Sequence, residues 1–221
     1  MKTLIINGGP RKNGSTYELL EQAMKGASEA GADVELVNLY DSPFNGCVSC
    51  FACKLKNAKT NGVCAVKDSL RPVLEKAHEA DVIIIGSPIY FDYPTGVVRS
   101  FMERLMYPIL SYNPKIDNGE MEMGLLDKVV PTAMIYTMGS TDEAAKAFSP
   151  ALDENRKFLE MLFGYNETLY SYNTIQFKDY SRYDVMEGVE EARKKQREEH
   201  FPDDLKAAYE LGKRLVNKAK A

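Results

Sequence analysis

Two stretches of the chain carry residue types and spacings that could do chemistry, and the first lies near the N-terminus. An apolar run, residues 4–6, meets a loop of Gly, Pro and Asn that ends in Ser15 and Thr16, where a helical pattern begins. The start of a helix offers unpaired backbone N–H groups and the positive end of the helix dipole, and Arg11 and Asn13 add a cation and an amide. This combination predicts a site for a phosphate group.

The spacing of this loop restricts the phosphate compounds that it can bind. Gly9 and Gly14 have the spacing of a nucleotide-hydrolase phosphate loop, but Ser15 stands where that loop has its Lys, so ATP or GTP hydrolysis is not expected. The pair Gly8 and Gly9 also lacks the three glycines of a dinucleotide-binding turn. A mononucleotide such as FMN fits best, and the alternative is an ordinary strand-to-helix turn capped by Ser or Thr.

The second stretch contains all four cysteines of the chain, Cys47, Cys50, Cys53 and Cys64. Two residues separate each of the first three, a spacing that lets a short loop turn thiolates toward one iron-sulfur cluster while the fourth arrives later in the chain. The alternatives are structural thiols, a thiol redox pair and a zinc site, although the two-by-two spacing of structural zinc sites is missing. The sequence leaves this choice open.

Composition and charge exclude several classes of function. The chain has 221 residues and a net charge of −4, and no basic stripe with interleaved aromatic residues marks a nucleic-acid site. Apolar runs of the length of a membrane span or a signal peptide are also missing. We therefore expect a cytoplasmic protein without nucleic-acid or membrane partners, in which the thiols stay reduced.

The two stretches must be positioned by strands and helices that alternate along the chain. Apolar, β-branched runs predict strands over residues 4–7, 34–39, 81–87, 128–137 and 167–177. Helical spacing predicts helices over residues 15–29, 68–79, 94–108, 143–163 and 185–218. This alternation predicts one flavodoxin-like α/β domain over residues 1–221, a three-layer sandwich with a five-stranded parallel sheet of order 2-1-3-4-5 and a cysteine-containing insertion at 43–67.

In a sheet of this order, ligands bind beyond the carboxyl ends of strands 1 and 3, where the order reverses. Two further loops, 87–96 and 137–140, should therefore line the same site as the first loop. Loop 87–96 carries three aromatic residues, Tyr90 and Phe91 among them, between two prolines. These rings suit contacts with a planar ligand, and the alternative is a cluster in the core or at a subunit interface. Gly139 in the other loop allows close approach of the backbone.

These three loops resemble those of the NAD(P)H-dependent FMN reductase family of flavodoxin-like proteins. The resemblance rests on residues 8–16, 86–90 and 137–139 and covers nearly the whole chain, including the segment 179–183. It implies an FMN site made by all three loops. The first loop would hold the phosphate with Gly9, Arg11, Asn13, Ser15 and Thr16. The second would contact the isoalloxazine with Pro88, Ile89, Tyr90 and Phe91, and the third would contact its far side with Thr137, Gly139 and Ser140. Gly9 stands where the family usually has Ser, which removes one phosphate donor.

The cysteine segment resembles that of the iron-sulfur flavoproteins, a branch of the same family. In that branch the last gap is shorter than the ten residues between Cys53 and Cys64. The resemblance makes these four cysteines candidate ligands of a [4Fe-4S] cluster.

The resemblance implies an oxidoreductase that takes hydride from NAD(P)H onto FMN and passes electrons to a second acceptor, a flavin, quinone or small molecule. Since hydride transfer needs stacked rings rather than a protein acid or base, no catalytic side chain is predicted. The alternative is an electron carrier with FMN and a [4Fe-4S] cluster, and a third hypothesis is an FMN-binding module without turnover. The aromatic-rich segment 89–110 exceeds what one helix buries and predicts a homodimer or tetramer.

Overall fold

The computed structural model describes residues 1–57, 62–117 and 119–221. Residues 58–61, which belong to the predicted insertion 43–67, lie outside the described residues. The strands are β1 (Lys2–Asn7), β2 (Asp33–Asn38), β3 (Val82–Tyr90), β4 (Tyr93–Pro94), β5 (Leu110–Asp117), β6 (Glu120–Gly124), β7 (Thr132–Thr137) and β8 (Asn166–Ser171). The helices are α1 (Ser15–Glu29), α2 (Arg71–Glu79), α3 (Gly96–Met106), α4 (Asp142–Ala145), α5 (Ser149–Phe163), α6 (Val189–Glu199) and α7 (Phe201–Lys220).

Five parallel strands form the main sheet in the order β2-β1-β3-β7-β8. When these five are counted along the chain, the order is 2-1-3-4-5, as the sequence predicts. The two-residue strand β4 pairs antiparallel with the end of β3, so the sheet has six strands in all. β5 and β6 form a separate antiparallel pair. The sequence pattern did not predict β4, β5 and β6, because their apolar residues do not repeat with a clear period.

Several element boundaries differ from the predicted ones. β8 ends at Ser171, earlier than predicted, because its pairing with β7 stops where β7 itself ends, at Thr137. The predicted fourth helix is two helices, α4 and α5, since Pro150 lies in the first turn of a new helix. The predicted last helix is divided into α6 and α7, with Pro202 in the first turn of α7, and this agrees with the helix start or break that the sequence predicts at Pro202.

Helices cover both faces of the sheet, because its central strands are apolar on both faces. The side chains of Ile83, Ile84 and Ile85 in β3 are all buried. Ile83 and Ile85 belong to one core layer with Phe101 of α3, and Ile84 belongs to the other with Leu19 of α1. No helix in the described ranges combines the length and the apolar character that crossing a membrane requires.

One buried arginine fastens the cysteine-containing insertion to the rest of the fold. Arg104 of α3 is 1% exposed and donates hydrogen bonds to the carbonyl oxygen of Asn45 at 3.0 Å and to that of Val66 at 3.3 Å. The same guanidinium contacts both carboxylate oxygens of Asp68, at 2.5 and 2.8 Å. Because these acceptors come from both ends of the insertion, Arg104 holds the two ends together against α3.

We expect Asp68→Asn to lower the free energy of unfolding by about 3 kcal/mol at neutral pH, because the buried Arg104 loses its counter-charge. Hydrogen bonding to Arg104 lowers the pKa of Asp68 below its ordinary value of 3.8. Since the folded pKa lies below the unfolded one, the stabilisation is complete above about pH 5 and is lost as the pH falls through the folded pKa. Urea unfolding should therefore show a difference from the parent chain that shrinks in acid.

Glu75→Gln provides the control for this prediction. Glu75 of α2 is half exposed and pairs with Arg71 one turn away. Exposed pairs of this kind contribute little, so the free energy of unfolding should stay nearly unchanged. An equal loss in both variants, or a loss in Asp68→Asn that does not depend on pH, would contradict the role given to Arg104.

Candidate functional site

The loop that follows β1 is hydrogen-bonded to β3 and to Thr95, the residue that precedes α3. The backbone N–H of Gly8 donates to the carbonyl oxygen of Gly86 at 2.8 Å. The hydroxyl of Thr95 donates to the carbonyl oxygen of Gly8 at 2.9 Å, and the N–H of Thr95 donates to Oγ of Ser87 at 3.0 Å. These contacts place the loop after β1 beside β3 and the start of α3, at the point where the sheet order reverses.

Two buried residues that the sequence analysis did not select shape the start of the first loop. A Cβ at Gly8 would lie 1.9 Å from Cγ2 of Val98 in α3, so only glycine allows this approach. The side chain of Asn7 accepts a hydrogen bond from the N–H of Gly9 and donates to Oδ1 of Asn38, both at 2.9 Å. The sequence features that could have indicated them are the polar residue at the end of an apolar strand, for Asn7, and the pair of adjacent glycines, for Gly8.

The first turn of α1 forms the predicted phosphate end of the site. Ser15 and Thr16 are buried, and Gly14 precedes the helix with no side chain to cap its N–H groups. Oγ1 of Thr16 lies 2.7 Å from Oγ1 of Thr137, which joins the loop after β7 to the other two. Two buried hydroxyls beside uncapped N–H groups are donors of the kind that phosphate oxygens accept from. The residues present therefore suit the phosphate of a mononucleotide.

Most of the predicted site residues line one cleft between the three loops. Those in its lining are Gly9, Arg11, Ser15, Thr16, Pro88, Ile89, Tyr90, Thr137 and Gly139. Asn13 lies instead in an adjoining groove. Ser140, the residue after Gly139, is not part of this lining, and its backbone oxygen accepts a hydrogen bond from the N–H of Asn173 at 2.8 Å. Phe91 is 96% exposed in the tight turn between β3 and β4, where it and Asp92 have positive φ angles of 48° and 69°.

A further wall of the cleft comes from the segment after β8. Thr174, Ile175 and Gln176 line the cleft, and the guanidinium of Arg11 donates to the carbonyl oxygen of Gln176. Arg193 of α6 donates to the side-chain oxygen of Gln176 and reaches this wall from outside. Sequence reasoning missed residues 174–176 because it placed them in the strand predicted over 167–177, whereas β8 ends at Ser171; the available signal was the resemblance over residues 179–183.

The structure brings all four cysteines to one cavity beside α3 and the turn that follows it. Cys47 and Cys50 are exposed, Cys53 is partly buried and Cys64 is buried. Over the parts of the chain that the structure describes, no three Cys, His, Asp or Glu side chains are grouped as a single metal ion requires. The four thiols thus line one cavity, although in the described residues they are not arranged as the ligands of one ion.

The loop that carries the first three cysteines turns sharply. Ser49 and Phe51 adopt left-handed φ angles of 51° and 54°, a conformation that residues with a Cβ seldom take and that often occurs at functional sites. Burial raises the pKa of the Cys53 thiol, and the nearby thiols of Cys64 and Cys50 act in the same direction. These three thiols are thus close enough to interact electrostatically.

A parallel sheet of this order, with helices on both faces and a cleft at the point where the order reverses, defines a flavodoxin-like protein. The NAD(P)H:quinone oxidoreductase from Methanothermobacter marburgensis superposes with a TM-score of 0.64 at 18% identity, over 97% of this chain and 96% of that chain. An FMN-dependent NADH-azoreductase from Bacillus anthracis str. Ames Ancestor, solved in complex with FMN, gives 0.61 at 16% identity, over 98% and 100%. At these identities the likeness shows the fold alone.

Residues 1–162 match the family described as NADPH-dependent FMN reductase, and the chain belongs to that family. The iron-sulfur flavoprotein MJ1083 of Methanocaldococcus jannaschii is 36% identical over 104 residues, which are 47% of this chain and 51% of that protein. The FMN-dependent NADPH-azoreductase of Staphylococcus saprophyticus is 32% identical over 106 residues, 48% of this chain and 52% of that protein. The chain thus spans about half the length of the curated relatives it matches.

Proposed function

We propose that this protein is an FMN-dependent oxidoreductase that takes hydride from NAD(P)H and passes electrons to a second acceptor, a flavin, quinone or small molecule. The observation that carries the proposal is the meeting of three loops at the uncapped start of α1, where the hydroxyls of Ser15 and Thr16 are buried. Membership of the FMN reductase family supports it, as does the similarity to an FMN-dependent NADPH-azoreductase.

The role of the chain's own residues in this proposal is to bind and orient the flavin. FMN, when bound, supplies the hydride chemistry. Arg11, Ser15 and the N–H groups of α1 would hold its phosphate, and residues 88–90 and Gly139 would border its ring system. Because all of these groups act by position rather than by proton transfer, changes in them should act on the reaction through cofactor affinity and ring orientation.

We expect the double variant Arg11→Ala/Ser15→Ala to bind FMN more weakly by about 1 to 3 kcal/mol for each substitution, because each removes a hydrogen bond to a charged phosphate. Flavin fluorescence during a titration measures this affinity. In the same preparation, anaerobic addition of NADPH or NADH to the FMN-loaded parent chain should bleach the visible absorbance of the flavin.

Lys12→Ala is the matched control for this experiment. Lys12 is a cation of the same loop, but its side chain pairs with Asp41 at 2.7 Å. Its removal should leave FMN affinity unchanged. Equal FMN affinity in the parent chain and the double variant would contradict the phosphate site. FMN binding without reduction by either nicotinamide would contradict the oxidoreductase and favour a module without turnover.

A second candidate function is an iron-sulfur flavoprotein electron carrier with FMN and a [4Fe-4S] cluster on Cys47, Cys50, Cys53 and Cys64. The observation that favours it is the cavity that all four cysteines line. A cluster is ligated by four thiolates, each on its own iron atom, so it needs a wider arrangement than one ion does. The names of several relatives support the same candidate. It assumes the reducing cytoplasm that the cysteine usage predicts.

This second candidate predicts that protein purified without oxygen contains about four iron and four sulfide per chain. Cys64→Ser should lower the iron content, because it removes the buried ligand, and should leave FMN affinity unchanged. Iron and acid-labile sulfide assays, read beside the visible spectrum, measure the result. Arg11→Ala/Ser15→Ala is the reverse control, since it should lose FMN and keep iron. A chain that binds FMN but holds no iron, even after anaerobic reconstitution, would contradict the cluster.

We also propose that the chain forms a homodimer or tetramer through the segment 89–110. Three aromatic side chains of this segment, Tyr90, Phe91 and Tyr93, are exposed within a few residues of each other. Sedimentation equilibrium should give a mass of two or four chains, and Phe91→Asp with Tyr93→Asp should lower it. Met186→Asp changes an exposed apolar residue elsewhere and serves as the control. A monomeric parent chain would contradict this proposal.

A further inference from the structure

A second groove, of about 510 Å³, adjoins the cleft at its phosphate end. The two share Arg11, Ser15 and Gln176, and the contact between Arg11 and the carbonyl oxygen of Gln176 lies at their boundary. The volume is in the range of sites that hold a small molecule. A ligand whose phosphate is bound at the start of α1 therefore has space beyond that phosphate, and a second ligand has a site next to it.

One wall of the groove is an aromatic cluster built by the segment 175–183. The rings of Phe177 and Tyr183 stack, with centroids 3.8 Å apart and planes 13° from parallel. Tyr180 is buried and packs edge-on against Phe177 at 5.2 Å, and its hydroxyl accepts from the N–H of Gln176 at 3.1 Å. The wall is thus fixed from behind, while Tyr183 is half exposed and lines the groove. A fixed aromatic wall suits a planar base.

The charges that line the groove favour an anion. Arg197 makes a two-point contact with Glu18 at 2.6 and 3.2 Å, so that carboxylate is already neutralised. Asp179 accepts two hydrogen bonds at the start of a short helical turn. Lys178 and Arg182 form no ion pair within the described part of the chain. Both carboxylates are engaged, and two cations remain for a ligand.

We propose that this groove binds an adenosine phosphate group, with the base against Phe177 and Tyr183 and the phosphate beside Lys178 and Arg182. The choice of adenosine rests on the proposed function, because two nucleotides that a flavin reductase can meet, FAD and NADPH, both carry this group. In FAD the group continues from the flavin phosphate. NADPH brings it as a separate molecule with a 2′-phosphate. The groove's aromatic wall and cations recognise the chemistry that the two share.

Calorimetric titrations of the chain with 5′-AMP and 2′,5′-ADP, with and without FMN, test the proposal. We expect at least one of them to bind, and Lys178→Gln/Arg182→Gln to weaken that binding about tenfold or more, because two charge-assisted contacts are lost. Tyr183→Leu should weaken 5′-AMP binding while ribose 5-phosphate binding stays as it was. Lys146→Gln/Lys206→Gln, which changes two exposed cations outside the groove, is the matched control and should have no effect.

Two comparisons identify the source of the adenosine phosphate. If FAD is the source, the flavin-free chain binds FAD more tightly than FMN, and Lys178→Gln/Arg182→Gln removes the difference. If NADPH is the source, the FMN-loaded chain binds 2′,5′-ADP more tightly than 5′-AMP and prefers NADPH to NADH, and the same variant removes that preference. Either result supports the groove as an adenosine phosphate site.

The proposal is overturned if neither adenosine phosphate binds in the presence or absence of FMN, or if the groove variants bind them as the parent chain does. These failures are distinct from failure of the proposed function. If the chain binds FMN and is reduced by NAD(P)H but binds neither adenosine phosphate, only the proposal for the groove is contradicted. If the chain binds no FMN, the proposed function is contradicted, and the titrations without flavin still test whether the groove binds an adenosine phosphate.

Discussion

The hydrogen bond from the N–H of Gly8 to the carbonyl oxygen of Gly86 is the contact on which the candidate site depends. It joins the first loop to β3 at the point where the sheet order reverses, and Thr95 reinforces it through a second bond to Gly8. A side chain at Gly8 would collide with Val98 and separate the loops. A separate contact, between the hydroxyls of Thr16 and Thr137 at 2.7 Å, joins the start of α1 to the end of β7.

Helix α3 connects the cleft with the cysteine cavity. Its first residues follow Thr95, which bonds to the loop after β1, and Arg104 near its other end holds both ends of the cysteine segment. Because a helix is a stiff element, the distance between the two centres is set by its length rather than by the loops. One chain can thus present the candidate cleft and the thiol cavity in a fixed relation.

The segment after β8 closes the cleft and borders the second groove. Arg11 contacts the carbonyl oxygen of Gln176, and Arg193 contacts the side chain of the same residue. The aromatic packing around Tyr180 holds this segment in place although it has little regular secondary structure. Irregular segments of this kind often carry function, because their backbone follows side-chain contacts rather than a repeating ladder.

The sequence alone determined the parallel strand order and the helix start at Ser15 that forms the candidate phosphate end of the site, because both follow from local patterns: β-branched runs, and Gly14, Ser15 and Thr16 where a helical pattern begins. Tertiary structure decided the rest. Gln176 lies far from Arg11 in the chain, and no periodicity indicates that they meet. The gathering of the four thiols likewise depends on Arg104, whose partners are distant in sequence. Contacts between distant segments are set by packing of the whole core, which residue spacing does not encode.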